Sequence, residues 1–127
     1  MTSFDRRRQL VVVPLRLVGP AGPLVRMMAI DTGSTYTVIR PELAARLGYR
    51  TDLPGTVPIT TASGALRVPR VALDRIDALE ISRHGFNIVL HALPPGLRFA
   101  GLLGLDFVRG GRLTFDFQRG EVIYEGE

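Results

Sequence analysis

The residues with the clearest chemical potential form one short run, in which Asp31 is followed by Thr32, Gly33 and Ser34. The run comes directly after the mainly apolar segment 25–30, so the Asp31 carboxylate lies where a strand is expected to end. An ionised carboxylate is costly to bury unless it is hydrogen-bonded or its pKa rises. The two hydroxyls and the free backbone that follow it can hold it in one orientation. The pattern fits either a carboxylate poised for acid–base chemistry or an Asx-turn that joins two strands.

Other residue types that carry chemistry are sparse. The chain has no cysteine, which excludes thiolate nucleophiles, disulfides and cysteine-based zinc sites. His84 and His91 have no third ligand at metal spacing, so neither a metal site nor a cofactor is predicted. Ser34 and Ser63 lack the Gly-x-Ser-x-Gly context of a serine nucleophile. All sixteen basic residues are arginines, and the net charge is +4. They are scattered except for the run at 6–8, so no nucleic-acid partner is expected.

Length and composition indicate a globular protein. With 127 residues, of which 46% are apolar, the chain is predicted to form one domain over residues 1–127. No window approaches the ~18 consecutive apolar residues that a membrane span needs, so no membrane partner is expected. The arginines at 6–8 precede an apolar stretch, but Pro14 and Arg16 interrupt it and no cleavage site follows. The expected location is the cytoplasm.

The hydrophobic pattern has mainly a period of two, which predicts many short strands. These strands are predicted at 10–18, 24–30, 35–39, 57–61, 65–71, 71–81, 86–93, 113–117 and 121–124. Tight hairpin turns are expected at 62–64 and 82–85. One clear helix is predicted over 41–48, with Pro41 near its first position and Gly48 at its C-terminal cap, and a helical turn is expected at 106–108. The fold class is therefore mostly β, closed or sandwiched.

Two segments resemble the signatures of a known family. Ala29-Ile30-Asp31-Thr32-Gly33-Ser34, followed by 36–39, resembles the active-site loop of aspartic peptidases. Gly101-Leu102-Leu103-Gly104-Leu105-Asp106-Phe107 resembles the second signature of their retropepsin-like branch. Ala62-Ser63-Gly64 lies between them, where such proteins carry the tip of a flap hairpin. The resemblance covers about residues 10–124. It implies a closed acid-protease-type β-barrel with one short helix and a flap hairpin.

The resemblance also implies roles for individual residues. Asp31 corresponds to the catalytic aspartate, and the Thr32 hydroxyl to one that bonds across a two-fold axis. Gly33 corresponds to the glycine that keeps the backbone clear for substrate, and Ser34 to a residue that hydrogen-bonds the carboxylate. The flap tip, expected to contact substrate, and the structural second signature comprise Ala62, Ser63, Gly64, Gly101, Leu102, Leu103, Gly104 and Asp106.

Chemistry of this kind needs two carboxylates that share a proton, and the chain carries one Asp-Thr-Gly motif. The second aspartate must then come from a second subunit, which predicts a homodimer that hydrolyses extended peptide or protein segments. The resemblance implies that the termini, around 3–10 and 121–125, contribute strands to a shared sheet. The arginines at 6–8 would face Glu121, Glu125 and Glu127 there. The alternative is a catalytically inactive module that uses the same fold to dimerise or to bind peptides.

Overall fold

The structure, a computed structural model, describes residues 1–52 and 56–126, and these residues form ten strands and two short helices. The helices are α1 (Pro41–Arg46) and α2 (Leu105–Val108). The strands are β1 (Thr2–Ser3), β2 (Val12–Gly19), β3 (Gly22–Ile30), β4 (Val38–Ile39), β5 (Thr56–Thr61), β6 (Gly64–Ala78), β7 (Ile81–Leu90), β8 (Gly101–Leu103), β9 (Gly111–Asp116) and β10 (Glu121–Gly126).

Six of these strands close into a barrel in the order β2-β3-β8-β4-β7-β6, because β6 pairs back onto β2. The closing register places Arg16 opposite Asp77 and Val18 opposite Arg75. β6 is 15 residues long, so its second half belongs to the barrel while its first half pairs with β5 and extends beyond it. The predicted mostly β, closed barrel with a flap hairpin is confirmed.

The alternating pattern of β2 shows how the barrel is filled. Val13, Leu15 and Leu17 are buried, whereas Pro14 and Arg16 between them face solvent. Each fully buried side chain of this size stabilises the fold by about 1.5–3 kcal/mol. The same core receives the buried residues of β3, β6, β7 and α1, and it includes the fully buried Phe107 of α2. The position of α2 is therefore set by an aromatic side chain anchored inside the barrel.

The turn between β6 and β7 lies at Leu79 and Glu80, so the hairpin turn predicted at 82–85 was wrong. Both turn residues have positive φ, 53° and 65°, which a tight two-residue hairpin turn requires and which usually selects glycine or asparagine. Leu79 is buried in the barrel core, and this packing offsets the unfavourable backbone conformation. The glycine at position 85, which suggested the wrong turn, lies within β7.

Other elements differ from the prediction mainly at their ends. The strand predicted at 35–39 is reduced to Val38–Ile39, because the preceding residues form the loop that begins at Asp31. The helix predicted over 41–48 ends at Arg46, and α2 occupies the place of the helical turn expected at 106–108. Residues 53–55, which precede the strand predicted at 57–61, lie outside the described residues, as does Glu127. No helix in the described part of the chain is long and apolar enough to cross a membrane.

A second, smaller sheet contains both ends of the chain in the order β1-β10-β9. β1 is only Thr2–Ser3 and pairs with β10 of its own chain, so the N-terminal strand is shorter than the predicted 3–10. The chain turns instead at Asp5, whose carbonyl accepts from the Arg8 N–H at 3.2 Å. The Asp5 carboxylate also accepts from the backbone N–H of Arg7 at 3.0 Å. Such a local side-chain bond competes with strand formation.

Candidate active site

The loop that begins at Asp31 starts where β3 leaves the barrel wall. The backbone N–H of Asp31 donates to the carbonyl of Leu103 at 2.9 Å, and that bond fixes the end of the strand. The backbone N–H of Gly33 then donates to Oδ1 of Asp31 at 2.9 Å, while the Ser34 N–H donates to the Asp31 carbonyl at 3.1 Å. The Asp31 side chain is partly exposed. Its orientation is therefore held by the backbone on one side, and it remains accessible on the other.

The two hydroxyl residues of this loop take different positions. The Ser34 hydroxyl donates to the carbonyl of Tyr36 at 2.7 Å, so its proton is engaged there and not at the Asp31 carboxylate as expected from the sequence. This bond closes the loop on itself, because Ser34 lies two residues before its acceptor. Thr32 is exposed beside Asp31. Its hydroxyl is accessible from outside this chain.

β8 runs through the middle of the site between β3 and β4. It is parallel to β3, with Ile30 opposite Leu103, and antiparallel to β4, with Val38 opposite Leu102. The chain crosses so tightly that a Cβ on Gly104 would lie 2.5 Å from the carbonyl oxygen of Tyr36. Only glycine fits this approach. Gly104 therefore allows the second signature to lie directly behind the Asp31 loop.

A buried hydrogen-bond network joins this loop to α2. The hydroxyl of the fully buried Thr37 donates to Oδ1 of Asp106 at 2.6 Å and accepts from the backbone N–H of Gly104 at 3.1 Å. The backbone N–H of Thr37 donates to the other carboxylate oxygen, Oδ2, at 3.0 Å. Asp106 thus links α2 to Thr37, and its structural role stays the prediction that the resemblance implied. Thr37 was missed by the sequence analysis, although a threonine just before the buried pair Val38 and Ile39 was a usable signal.

The flap is the hairpin of β5 and β6. Thr61 pairs with Gly64, which leaves Ala62 and Ser63 at the tip. Gly64 has φ of +116°, a conformation that residues with a Cβ rarely adopt. The Thr61 hydroxyl donates to the Gly64 carbonyl at 2.9 Å and accepts from the Ser63 N–H at 3.2 Å. The tip is therefore a defined turn, and its residues are exposed.

An open cleft of about 1120 Å³ lies between the flap and the Asp31 loop. Its walls bring together residues that are far apart in the sequence, with Asp31 on the floor and the flap tip above. The predicted site residues that line it are Asp31, Gly33, Ser34, Ala62, Ser63 and Leu102. The other residues of the second signature support the loop from behind, since Leu103 and Gly104 are buried. A carboxylate at the floor of a long cleft can act on an extended chain laid beneath the flap.

The histidines are separated in the fold. His91 lines the cleft, whereas His84 lies on β7 opposite Arg75 of β6. Among the described residues, no three histidine, aspartate or glutamate side chains come close enough to hold a metal ion. Asp31 is the one carboxylate among the described residues that line the cleft.

A closed barrel with a carboxylate loop, a crossing Gly-Leu-Leu-Gly strand and a flap defines the class of aspartic peptidase-like proteins. The family model for aspartyl proteases matches residues 13–107, which is most of the chain. The chain therefore belongs to the aspartyl protease family. Its structure is similar to the crystal structure of a retropepsin-like aspartic protease from Rickettsia conorii, with a TM-score of 0.71 and 17% sequence identity. That match covers 98% of this chain and 88% of the other, so the fold is retropepsin-like. No curated protein sequence matches the chain significantly.

Proposed function

We propose that this protein is an aspartic endopeptidase in which two copies of the chain each contribute Asp31 to one catalytic pair. The observation that carries the proposal is the placement of Asp31, oriented by the Gly33 N–H on the floor of a cleft that the flap covers. The full sequence holds a single Asp-Thr-Gly motif, so one chain supplies one such carboxylate. A site for peptide hydrolysis is then completed by a second copy.

The proposed reaction uses two carboxylates that lie close together and share one proton. The ionised carboxylate removes a proton from a water molecule, and the resulting nucleophile attacks the carbonyl carbon of the peptide. The protonated carboxylate donates a hydrogen bond to the carbonyl oxygen, on which negative charge develops. Transfer of a proton to the peptide nitrogen then breaks the C–N bond and releases the amine. The Gly33 N–H keeps each carboxylate directed towards its partner and the water.

A two-fold arrangement is supported by the exposed surface around the loop. In an isologous interface each residue on the axis meets its own copy, so the Asp31 loops approach each other and the exposed Thr32 hydroxyls lie at the contact. The small sheet, which contains both ends of the chain, also offers exposed apolar surface. Phe117 is 63% exposed and lies against Phe4 and Phe115, with ring centroids 5.7 and 5.8 Å away.

Ion pairs between the termini are a weaker support for this dimer. Arg7 is paired with Asp5 of its own chain at 3.1 Å, and the Arg6 side chain donates to the carbonyl of Gln118. These guanidinium groups are therefore already engaged, and exposed ion pairs contribute only ~0–1 kcal/mol each. We infer that the dimer is held by apolar contacts and the loop contact, and that it dissociates on dilution.

The proposed substrate is an extended peptide segment that lies under the flap as an added strand. Apolar side chains dominate the cleft walls, including Ile59, Leu66, Leu93 and Leu102. Burial of apolar substrate side chains against these residues would supply binding energy of about 25 cal/mol per Å² of area removed from water. Segments with apolar residues beside the scissile bond are therefore the expected substrates.

Replacement of Asp31 by asparagine tests the proposal. The amide keeps the shape of the side chain but cannot serve as a base, so hydrolysis should fall by roughly 10³-fold or more, in line with general acid–base contributions. The measurement is cleavage of a proteome-derived peptide library followed by mass spectrometry, with circular dichroism to show that the variant is folded. Asp52→Asn is a matched control, since Asp52 is exposed and its carboxylate pairs with the nearby Arg50.

Two outcomes would contradict the proposal. If Asp31→Asn retains most of the wild-type turnover, Asp31 is not the catalyst. If the wild-type dimer binds peptides in the cleft without cleaving any of them, the protein is a non-catalytic binding module of the same fold.

A further inference from the structure

Within residues 1–52 and 56–126, the first half of β3 has a strand neighbour on one side only. β2 pairs along the whole of β3, whereas β8 pairs only with Ala29 and Ile30. Just before that point, the N–H of Ala100 donates to the carbonyl of Met27 at 2.8 Å. The N–H and C=O of one strand residue point to the same side, and the side alternates along the strand. The backbone groups of Val25 therefore point the same way as those of Met27, away from β2.

The N–H of Val25 on this edge is open for hydrogen bonding. The Val25 carbonyl accepts from the guanidinium of the adjacent Arg26 at 2.8 Å, which is a bond to its own neighbour. No described residue accepts from the Val25 N–H, and no described strand lies beside this part of β3. Natural proteins usually cover or blunt such edges, because an open edge is a template for another strand. The open edge at Val25 is therefore suited to pairing with another chain.

The edge forms one wall of a groove of about 500 Å³, whose other walls are α1 and residues 98–100. We call it the β3-edge groove. Val25 is 60% exposed and Met27 is 43% exposed, and both side chains stand on the outer face of the strand. Phe99, which is buried, contributes to the opposite wall. The groove thus combines an open backbone N–H with apolar side chains, as strand-addition sites do.

The charged residues around the groove are mainly positive. Its lining includes four arginines and one glutamate, and these are Arg26, Arg40, Arg46, Arg98 and Glu42. Arg40 has a structural role, because its guanidinium donates to the carbonyl of Leu97 at 2.7 Å and holds the 98–100 wall in place. Arg46 and Arg98 are exposed at the rim. A partner that lies in the groove therefore meets exposed positive charge from Arg46 of α1 and from Arg98.

We propose that the β3-edge groove binds an extended acidic segment of a partner protein as an added strand on β3. Backbone groups of the segment pair with Val25, its apolar side chains contact Val25 and Met27, and its carboxylates face Arg46 and Arg98. The charge selects an acidic partner, and the open edge selects an extended one.

The groove is separate from the Asp31 cleft. The two share no lining residue among those described. Val25 is six residues before Asp31 on an extended strand, which places the two about 20 Å apart at the usual rise per residue. An acidic segment can therefore occupy the groove while a peptide occupies the cleft, and the inference does not depend on catalysis.

The test is a titration of the isotope-labelled Asp31→Asn protein, followed by NMR, with a blocked eight-residue peptide that alternates glutamate and valine. The expected result is a set of shifted amide signals at Val25, Met27 and Ala100. Two control peptides separate charge from strand pairing. One alternates lysine and valine, and the other alternates glutamate and proline, so it keeps the charge but loses backbone donors. Neither control should bind comparably.

Variants then test each part of the groove. Val25→Pro removes the edge N–H without touching the bonds to β2, and it should weaken binding about tenfold through the lost hydrogen bond and the clash of the ring. Replacing Arg46 and Arg98 together by glutamine changes only exposed side chains and should weaken binding about fivefold. Arg112→Gln, on the exposed part of β9, is the matched control and should have no effect.

The proposal is overturned if the shifted signals surround Asp31 and the flap tip, or if the peptide does not bind. It is also overturned if the glutamate–proline peptide or double-stranded DNA binds as well as the test peptide and Val25→Pro changes nothing. That result would identify a general site for polyanions. If Val25→Pro does not fold, the double arginine variant and the control peptides decide the question.

Discussion

Replacement of Thr37 by valine tests whether the buried network behind the Asp31 loop holds the site together. Valine has nearly the same volume as threonine, so the packing is preserved and only the hydroxyl is lost. That hydroxyl donates to Asp106 at 2.6 Å and accepts from the N–H of Gly104 at 3.1 Å. The substitution therefore leaves a carboxylate oxygen and a buried backbone N–H without their partner.

The size of the effect follows from these two groups. A hydrogen bond to a charged group contributes about 1.5–3 kcal/mol, and a buried N–H left unpaired costs about 1–3 kcal/mol. Asp106 is partly exposed, so water can replace part of its lost hydrogen bond, and the cost at this group is about 1.5 kcal/mol. The N–H of Gly104 is buried, so water cannot replace its lost partner, and the cost of about 1–3 kcal/mol applies undiminished. We therefore expect Thr37→Val to lower the free energy of unfolding by about 3 kcal/mol, a large share of the ~5–15 kcal/mol typical of a domain.

The assay is urea unfolding at one fixed protein concentration, because association of subunits adds a concentration-dependent contribution to stability. Thr37→Ser is the matched control. It keeps the hydroxyl and removes one buried methyl group, so it should cost only about 1 kcal/mol. If Thr37→Val is within about 1 kcal/mol of the wild type, or if the serine variant is the less stable of the two, the network does not hold the loop as described.

Three further predictions follow from the dimer, the crossing strand and the barrel closure. Specific activity should fall in parallel with the dimer fraction seen by sedimentation as the protein is diluted, and full activity of a monomer would exclude the shared carboxylate pair. Gly104→Ala should unfold the protein or abolish its activity, because the new Cβ would lie 2.5 Å from the Tyr36 carbonyl oxygen, and thermal melting will show which. Burial raises the pKa of Asp77, but hydrogen bonds from Ser82 and Arg75 outweigh it and the net pKa is lowered. A carboxyl whose pKa is lowered by folding stabilises the folded state at pH values above its pKa in the unfolded chain, which is ~3.9. This stabilisation is lost as the pH falls through the lower pKa of the folded state. Asp77→Asn should therefore destabilise the protein at about pH 6 and have little effect at about pH 2, as measured by urea unfolding at each pH.

Local patterns in the sequence were sufficient for the fold class and for most elements. Alternating residues such as Val13, Leu15 and Leu17 indicate a half-buried strand, and the proline–glycine run after β2 indicates a hairpin. A carboxylate followed by Thr-Gly is visible in the chain because it interrupts an apolar strand. The aspartyl protease family and the retropepsin-like barrel, which the resemblance of the two signature segments implied, are confirmed. The role of Asp31 remains a prediction until its variant is assayed.

The predictions that were wrong concern places where a contact between distant segments affects the local structure. Leu79 and Glu80 adopt positive φ against their local preference, because Leu79 is buried in the barrel core. The Ser34 hydroxyl bonds the Tyr36 carbonyl in a loop that a distant segment also contacts, since the N–H of Leu105 donates to the Ser34 carbonyl at 2.8 Å. Local periodicity carries no information on such contacts, since they depend on which segments meet after folding.

The sequence by itself determined that this chain is mostly β with one Asp-Thr-Gly loop, because alternation, turn residues and a carboxylate at a strand end are local properties. The closed barrel was implied only by the resemblance to the retropepsin-like family. Which residues surround that loop was decided only by the tertiary structure. Thr37 and Asp106 are 69 residues apart and meet because β8 is threaded between β3 and β4. The open edge at Val25 arises in the same way, because β8 is too short to cover the first half of β3. Both features depend on where strands begin and end in three dimensions, and the barrel as a whole sets those limits.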